Sequence, residues 1–209
     1  MPLPPPPKPV RRAPAGTLVA YVRSGRTVAV RSAPSGPVVA QLSSRTQFGS
    51  PRTFAATPAA HGLHVITTEL PNGRTGWVDA QGALRLSRTT VSLDVDLSIR
   101  LLRVRVAGRL ARTMRVGIGA SGTSTPTGRF AITDKLRGSA YSSVYGCCVL
   151  ALSGHQTNLP PGWTGGDRLA IHGGSTGGAV STGCLHAATR DLAYLMRSVP
   201  LGAQVMIYR

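Results

Sequence analysis

The sequence predicts a mainly β protein with two successive domains, and three observations lead to this prediction. From residue 16 to residue 88, short apolar runs between turn residues recur at a period of roughly ten residues. From residue 89, longer runs alternate polar and apolar residues, which is typical of half-buried strands. Helical spacing is confined to the segment from Ala188 to Val199, which places Leu192, Leu195, Met196 and Val199 on one face. We therefore expect one short helix.

The first 88 residues divide into a linker and a small β domain. Residues 1–15 hold seven prolines in the first fourteen positions, which predicts an extended Pro-rich linker. Residues 16–88 then offer six candidate strands: TLVAYV, TVAVRSAP, PVVAQL, LHVITTEL, GRTGWV and GALRL. The APSG turn and the GWV segment resemble bacterial SH3-like domains that accompany cell-wall enzymes. We expect a small SH3-like β-barrel over residues 16–88, with Trp77 in its core or in a groove.

The second domain spans residues 89–209. Two alternating runs meet at Ala107-Gly108, which predicts a hairpin turn. Four further strands are expected in GRFAITDKL, CCVLALSG, RLAIHG and QVMIYR. The GIGASG run matches a dinucleotide-binding fingerprint, but that fingerprint needs a helix that begins at its third glycine, Gly122. Pro126 and Gly128 follow instead and predict a turn, so we reject nucleotide binding.

The three cysteines do not form a closed disulfide framework. Cys147 and Cys148 are adjacent, and their Cα atoms are about 3.8 Å apart, which is shorter than disulfide geometry prefers. We expect both to be small, buried, reduced residues. Cys184 is then the remaining thiol and the candidate for reactivity.

Cys184 lies in a segment that has too little side-chain bulk to build a core. All of the eleven residues between His172 and Cys184 except Val180 are Gly, Ser, Thr or Ala. A thiol attacks as thiolate and needs a base, and a Gly-rich connection between two strand ends can bring an imidazole to it. The backbone N–H groups of Gly183 and Cys184 are candidate donors to an oxyanion. Chance proximity remains an alternative, and no metal site is expected because neither C-x-x-C nor a second close His accompanies the pair.

The charge is strongly positive, with 24 Lys and Arg against 7 Asp and Glu and a formal net charge of +17. Arginine, which supplies all but two of these cations, binds phosphate and carboxylate through two points. Anionic cell-wall polymers and nucleic acid are the candidate partners, and an arginine-rich genome is the alternative explanation. We expect no nucleic-acid binding, because neither basic-aromatic interleaving nor a recognition helix is present.

The order TPTGRFAIT, IHG, STGCL and a helix resembles the L,D-transpeptidase catalytic domain of the YkuD-like family, from about Thr89 to Arg209. The resemblance implies a β-sandwich and acyl transfer on peptidoglycan through a thioester on Cys184. It implies that His172 is the base, that the carbonyl of Gly173 orients it, and that Ser181 and Gly183 shape the oxyanion site. It also implies stem peptides as donor and acceptor, inhibition by penems, and no cofactor.

Three positions depart from the family pattern. Thr182 replaces a His, His186 replaces an Arg two residues after the Cys, and Thr189 replaces a common Asn. Thr182 and His186 belong to the expected substrate-binding set, so substrate recognition is where this chain is expected to differ. A protonated His186 would retain half of the arginine fork, and His155 and Arg168 are further candidates to replace it.

The resulting prediction is a peptidoglycan L,D-transpeptidase that cross-links third-position residues of stem peptides. An L,D-carboxypeptidase on the same fold and a catalytically silent wall-binding protein remain alternatives. A papain-like peptidase is disfavoured, because those enzymes carry Cys before His in the chain. We expect an exported, wall-associated monomer whose signal or anchor lies outside these 209 residues, because no apolar run of about 18 residues is present.

Overall fold

A computed structural model describes residues 16–79 and 82–209, and the predicted Pro-rich linker lies outside the described residues. The first half forms one seven-stranded sheet in the order β3-β2-β6-β5-β4-β1-β7, and its neighbouring strands are antiparallel. Its strands are β1 (Thr17–Val22), β2 (Thr27–Arg31), β3 (Val38–Ser43), β4 (Thr53–Ala59), β5 (Gly62–Ile66), β6 (Gly76–Val78) and β7 (Leu84–Thr89).

This N-terminal domain has a core of its own. Inward-facing residues of its strands, among them Val30, Phe54 and Val65, are almost fully buried. Trp77 is buried too, and its indole lies so close to Gly62 that a Cβ there would approach ring carbon Cζ2 to 2.6 Å. The all-β character is therefore confirmed, whereas the SH3-like assignment stays a prediction.

Strand β4, which pairs with both β1 and β5, was not predicted from the sequence. Pro58 obscures this strand, because proline cannot donate to a ladder and argues against a central strand. In the structure, the pairing of β4 with β1 ends at Ala56, so Pro58 lies beyond it and opposes only Leu63 of β5. The proline therefore costs no hydrogen bond on the β1 side.

The second half forms an eight-stranded sheet in the order β10-β9-β8-β17-β12-β13-β14-β16, and a two-stranded sheet of β11 and β15. The strands are β8 (Val91–Asp96), β9 (Leu101–Val106), β10 (Arg109–Arg115), β11 (Ile118–Gly119), β12 (Gly128–Arg137), β13 (Cys148–His155), β14 (Arg168–Gly173), β15 (Ala179–Ser181), β16 (Leu185–Ala187) and β17 (Gln204–Tyr208). The helix is α1 (Thr189–Ser198).

The long strand β12 joins two parts of this sheet. Its first residues pair with β17, and the residues from Ile132 onward pair with β13, with an irregular register between Ile132 and Asp134. Residues of both parts, with Leu192 and Leu195 of α1, enter one apolar core. The predicted hairpin is confirmed, since Ala107 and Gly108 turn between β9 and β10 with positive φ.

The predicted helix is present, with Leu192, Leu195 and Val199 buried and Met196 partly buried against the core. No helix begins at Gly122, so the dinucleotide fingerprint has no structural counterpart in this described segment.

The expectation for Cys147 and Cys148 is wrong, because a disulfide joins them. Gly146, with φ of 67°, turns the chain just before β13. Cys147 therefore lies exposed in the turn, and only Cys148 packs against the core.

The two domains are in contact close to the strands that carry Cys184 and His172. Thr46 donates its hydroxyl to the buried Asp134 of β12. The side chain of Asn72 pairs with the main chain of His155, with distances of 2.7 Å from Nδ2 to O and 2.9 Å from N to Oδ1. Gly202 leaves space for Val19, whose Cγ1 would be 2.6 Å from a Cβ at that position.

Across residues 16–79 and 82–209, no helix has the length and apolarity to span a membrane.

Candidate active site

Two adjacent parallel strands bring His172 and Cys184 together. Strand β14 pairs with β16 in a register that sets His172 opposite His186 and Ile171 opposite Leu185. Cys184 directly precedes β16, and residues two apart on a strand point to the same face. Cys184 is therefore beside β14 on the face that carries the His172 ring, and its Sγ is 3.8 Å from the Arg168 carbonyl oxygen.

The Gly-rich segment forms the connection between these two strands. Its short strand β15 (Ala179–Ser181) runs parallel to β11 (Ile118–Gly119), which fixes the loop against the strand formed by the GIGASG run. Gly117 also exchanges main-chain hydrogen bonds with His186, at 2.9 and 3.0 Å. A Cβ at Gly117 would lie 2.2 Å from the Ser175 carbonyl oxygen, so this glycine permits the close approach. The motif that resembles a nucleotide site is a structural support for the Cys184 loop.

The His172 imidazole is oriented by the main chain. Its Nδ1 lies 2.7 Å from the carbonyl oxygen of Gly173, which can only accept, so Nδ1 carries the proton and Nε2 has the free lone pair. Burial lowers the pKa of His172 to about 4, against the opposing effect of the Gly173 hydrogen bond. The imidazole is therefore neutral at neutral pH and is able to accept a proton.

Two aromatic rings contact the His172 ring. Tyr145 meets it edge to face with centroids 4.8 Å apart, and His186 lies tilted against it at the same centroid distance. The segment that carries Tyr145 packs on Gly173, where a Cβ would approach the Tyr145 carbonyl oxygen to 2.9 Å. These contacts hold the imidazole in one orientation.

Two cavities meet at His172 and Cys184. The outer cavity, of about 400 Å³, has Trp163, Val144 and Val180 among its exposed walls. The inner cavity, of about 230 Å³, extends toward the N-terminal domain and is largely apolar. Its lining includes Phe48, Leu136, Tyr141, Val149, Ala151 and Ala170. Burial raises the pKa of Cys184, so the free thiol needs the neighbouring base to become a nucleophile at neutral pH.

The turn before Cys184 uses one donor that was expected to serve an oxyanion. The N–H of Gly183 donates to Ser181 Oγ at 3.1 Å, and Ser181 Oγ donates to the Cys184 carbonyl at 2.6 Å. Ser181 therefore closes the turn. The Gly183 N–H is engaged within the loop in this structure, and its oxyanion role stays a prediction.

The predicted substrate-binding residues occupy different positions. Thr182 and His186 both line the outer cavity. Burial lowers the pKa of His186, so this ring provides no positive charge for a carboxylate at neutral pH. His155 is engaged at the domain interface, with Nδ1 2.9 Å from Asp167 and Nε2 2.7 Å from the Thr68 carbonyl. It is therefore not a replacement for the missing arginine.

Arg168 borders both cavities and remains a candidate to replace the family's arginine. Burial lowers its pKa, and the charge of Asp134 opposes this effect. Its Nε has no hydrogen-bond partner among residues 16–79 and 82–209. Within the same described ranges, no group of three His, Cys, Asp or Glu side chains is arranged to hold a metal ion.

The comparison with known families agrees with this arrangement. The profile of the YkuD L,D-transpeptidase catalytic domain matches residues 90–207, which is more than half of the chain. This chain belongs to the YkuD family. The match contains the whole connection from His172 to Cys184.

Two named relatives of this YkuD-family chain come from bacilli. YkuD of Bacillus subtilis (strain 168), named as an L,D-transpeptidase, is 30% identical over 122 residues, which are 56% of this chain and 65% of that protein. The protein of the same name in Bacillus licheniformis is 32% identical over 120 residues, 55% of this chain and 64% of that protein. The chain thus spans just under two thirds of the length of these relatives.

Solved L,D-transpeptidases also resemble this YkuD-family chain. The enzyme of Mycobacterium smegmatis is 18% identical with a TM-score of 0.47, covering 75% of this chain and 81% of that one. L,D-transpeptidase 3 of Mycobacterium tuberculosis, solved with a faropenem-derived adduct, is 16% identical with a TM-score of 0.48, covering 74% and 80%.

Several residues of this site were not predicted from the sequence. Phe48 belongs to the other domain, and Tyr145 and Trp163 are in segments without regular spacing. Gln156 is buried directly behind the Cys184 loop. Its position directly after an apolar strand was the one sequence signal available for it.

Proposed function

We propose that this chain is a peptidoglycan L,D-transpeptidase that joins third-position residues of two stem peptides through a thioester on Cys184. His172 and Cys184 carry this assignment, because both line one solvent-connected cavity on the same face of β14 and β16. The neutral imidazole, with its proton fixed on Nδ1 by Gly173, provides the base that a buried thiol requires.

The first half-reaction forms the thioester. His172 Nε2 takes the proton of the Cys184 thiol, and Sγ attacks the carbonyl carbon that joins the third residue to the terminal D-alanine. The C–N bond breaks, and the imidazolium returns its proton to the departing D-alanine amine. We assign the Cys184 N–H to the oxyanion, because the Gly183 N–H is already engaged with Ser181.

The second half-reaction transfers the acyl group. The amine of another stem peptide attacks the thioester, its proton passes to His172, and the thiolate leaves and is reprotonated. Water in place of the amine would give the carboxypeptidase reaction with the same residues.

Anionic wall polymers are proposed as a further partner, because 7 acidic residues cannot pair with 24 basic ones.

The decisive experiment is mass spectrometry of disaccharide-tetrapeptide incubated with the protein. We expect cross-linked dimers and free D-alanine. Tripeptide alone would indicate a carboxypeptidase, and unchanged substrate would indicate a silent wall-binding protein. Cys184→Ala should abolish both product formation and the adduct with a penem, while a penem adduct that remains on this variant would contradict the assignment of the nucleophile.

A further inference from the structure

Gln156 is a buried residue behind the Cys184 loop that the reaction steps above do not use. It directly follows strand β13, and its side chain is 5% exposed. Its Nε2 donates to the carbonyls of Thr123 at 2.9 Å, Ser124 at 3.2 Å and Thr182 at 3.3 Å. Its Oε1 accepts the Asn158 N–H at 3.0 Å. One amide thus connects three segments that are distant in sequence.

Gly183 packs directly on this amide. A Cβ at Gly183 would lie 2.2 Å from Gln156 Nε2 and 3.0 Å from Cδ, and its φ of +107° is a conformation that other residues rarely adopt. Any side chain at position 183 would therefore displace the amide. Gly183 and Gln156 consequently form one packing unit immediately before Cys184.

The same loop is held on its other side by hydroxyl and main-chain groups. Ser181 Oγ accepts the Gly183 N–H and donates to the Cys184 carbonyl. The Ser181 carbonyl in turn accepts from the Ala120 N–H at 2.8 Å and from the Thr123 hydroxyl at 3.0 Å. Gln156 is the partner that holds the Thr182 carbonyl, so it completes the support of the peptide that leads to Cys184.

We propose that Gln156 is a positioning residue for the thiol of Cys184, acting through Thr182 and Gly183. This inference rests on the proposed function. Gln156 also lines the outer cavity, but its amide is committed to main-chain groups. A misplacement of about 1 Å in a reacting group can cost about 10²-fold in rate. Loss of this amide donor should therefore slow acylation without removing any reacting group.

Two substitutions separate the hydrogen bonds from the shape of the side chain. Gln156→Met keeps an unbranched chain of similar length and has no N–H donor. Gln156→Glu keeps the shape but directs a carboxylate at three carbonyl oxygens. Thr157→Val is the matched control, because Thr157 is the exposed neighbour on the same loop.

The rate constant for acylation of Cys184 by a penem should be measured by intact-mass spectrometry from pH 6 to pH 9, below the melting temperature of each variant. We expect a fall of about 10- to 100-fold for Gln156→Met at every pH, with the midpoint of the pH profile unchanged. The rate constant for Gln156→Glu should fall further, and the midpoint of its pH profile should lie at higher pH, because a new negative charge opposes the thiolate. Thr157→Val should match the wild type.

Alkylation by iodoacetamide gives a second readout, since this small reagent needs an accessible thiol but no bound acyl donor. We expect it to change by less than about threefold in Gln156→Met, since thiol access is retained. Penem acylation of Gln156→Met at the wild-type rate would overturn the positioning role, and so would failure of both variants to fold. If the wild type itself forms no adduct, the proposed function fails instead.

Discussion

The two domains contribute to the Cys184 site in different ways. The second domain supplies the proposed reacting groups, since His172 lies on β14, Cys184 precedes β16, and the Gly173 carbonyl orients the imidazole. The N-terminal domain supplies Phe48 to the wall of the inner cavity and contacts β12 and β13 through Thr46 and Asn72. One domain therefore carries the proposed chemistry, and the other supports and encloses the site.

Contacts in the two domains should have different energetic consequences. Contacts around His172 change the proton affinity of a reacting group, so their loss should appear in the rate. Contacts across the domain interface bury polar atoms away from the reacting ones, so their loss should appear in the free energy of unfolding. Substitutions around His172 should therefore lower the acylation rate, and substitutions at the domain interface should lower the free energy of unfolding.

The largest effect is expected at His172. His172→Gln should reduce penem acylation of Cys184 by about 10²- to 10⁴-fold at neutral pH, because the proposed general base is removed. Mass spectrometry of the adduct measures this rate, and a near-UV circular-dichroism spectrum equal to that of the wild type shows that the fold is intact. A reduction of less than tenfold would mean that another group takes the thiol proton.

The same residue should make stability depend on pH. The pKa of His172 is lowered from 6.5 to about 4 in the folded protein, so the unfolded chain binds the proton more readily. The His172 contribution is therefore constant above pH 6.5, becomes progressively unfavourable as pH falls to 4, and reaches on the order of 3 kcal/mol. Urea unfolding at several pH values should show this loss, and His172→Gln should reduce its slope in that window.

An intermediate effect is expected at the domain interface. Asp134 is fully buried and accepts the hydroxyl of Thr46. Asp134→Ala leaves that hydroxyl without its acceptor and removes a charge that favours protonated Arg168, so we expect a loss of about 2–3 kcal/mol in the free energy of unfolding. Asp134→Asn keeps an acceptor and should lose less. A tenfold fall in the acylation rate of folded Asp134→Asn would show that the interface also controls the chemistry.

The sequence predicted most of the second domain, because its strands alternate polar and apolar residues and the helix has a clear apolar face. The prediction failed at Pro58, because proline argues against a central strand. In the structure Pro58 lies beyond the end of the β1 pairing, so β4 tolerates it. The prediction also failed at Cys147, where a turn at Gly146 carries the residue out of the core.

The candidate site was partly predictable for a related reason. His172 and Cys184 stand out because the residues between them are small, and the family resemblance named them. Gln156 and Phe48 could not be found in this way. The partners of Gln156 are main-chain carbonyls, which every residue has, and Phe48 reaches the cavity only through the packing of the two domains.

The smallest effect is expected at Phe48. Its ring lies edge to face with Tyr141 at 5.9 Å and lines the inner cavity, but it is only partly buried. Phe48→Ala should therefore cost about 1 kcal/mol of unfolding free energy, and penem acylation should change by less than about threefold, because no reacting group is lost. Val38→Ala on β3, where Val38 is 42% exposed, is the control for loss of apolar surface alone. A fall of more than tenfold in the acylation rate for Phe48→Ala, with Val38→Ala unaffected, would place the N-terminal domain within the substrate-binding wall and end the division of roles between the two domains.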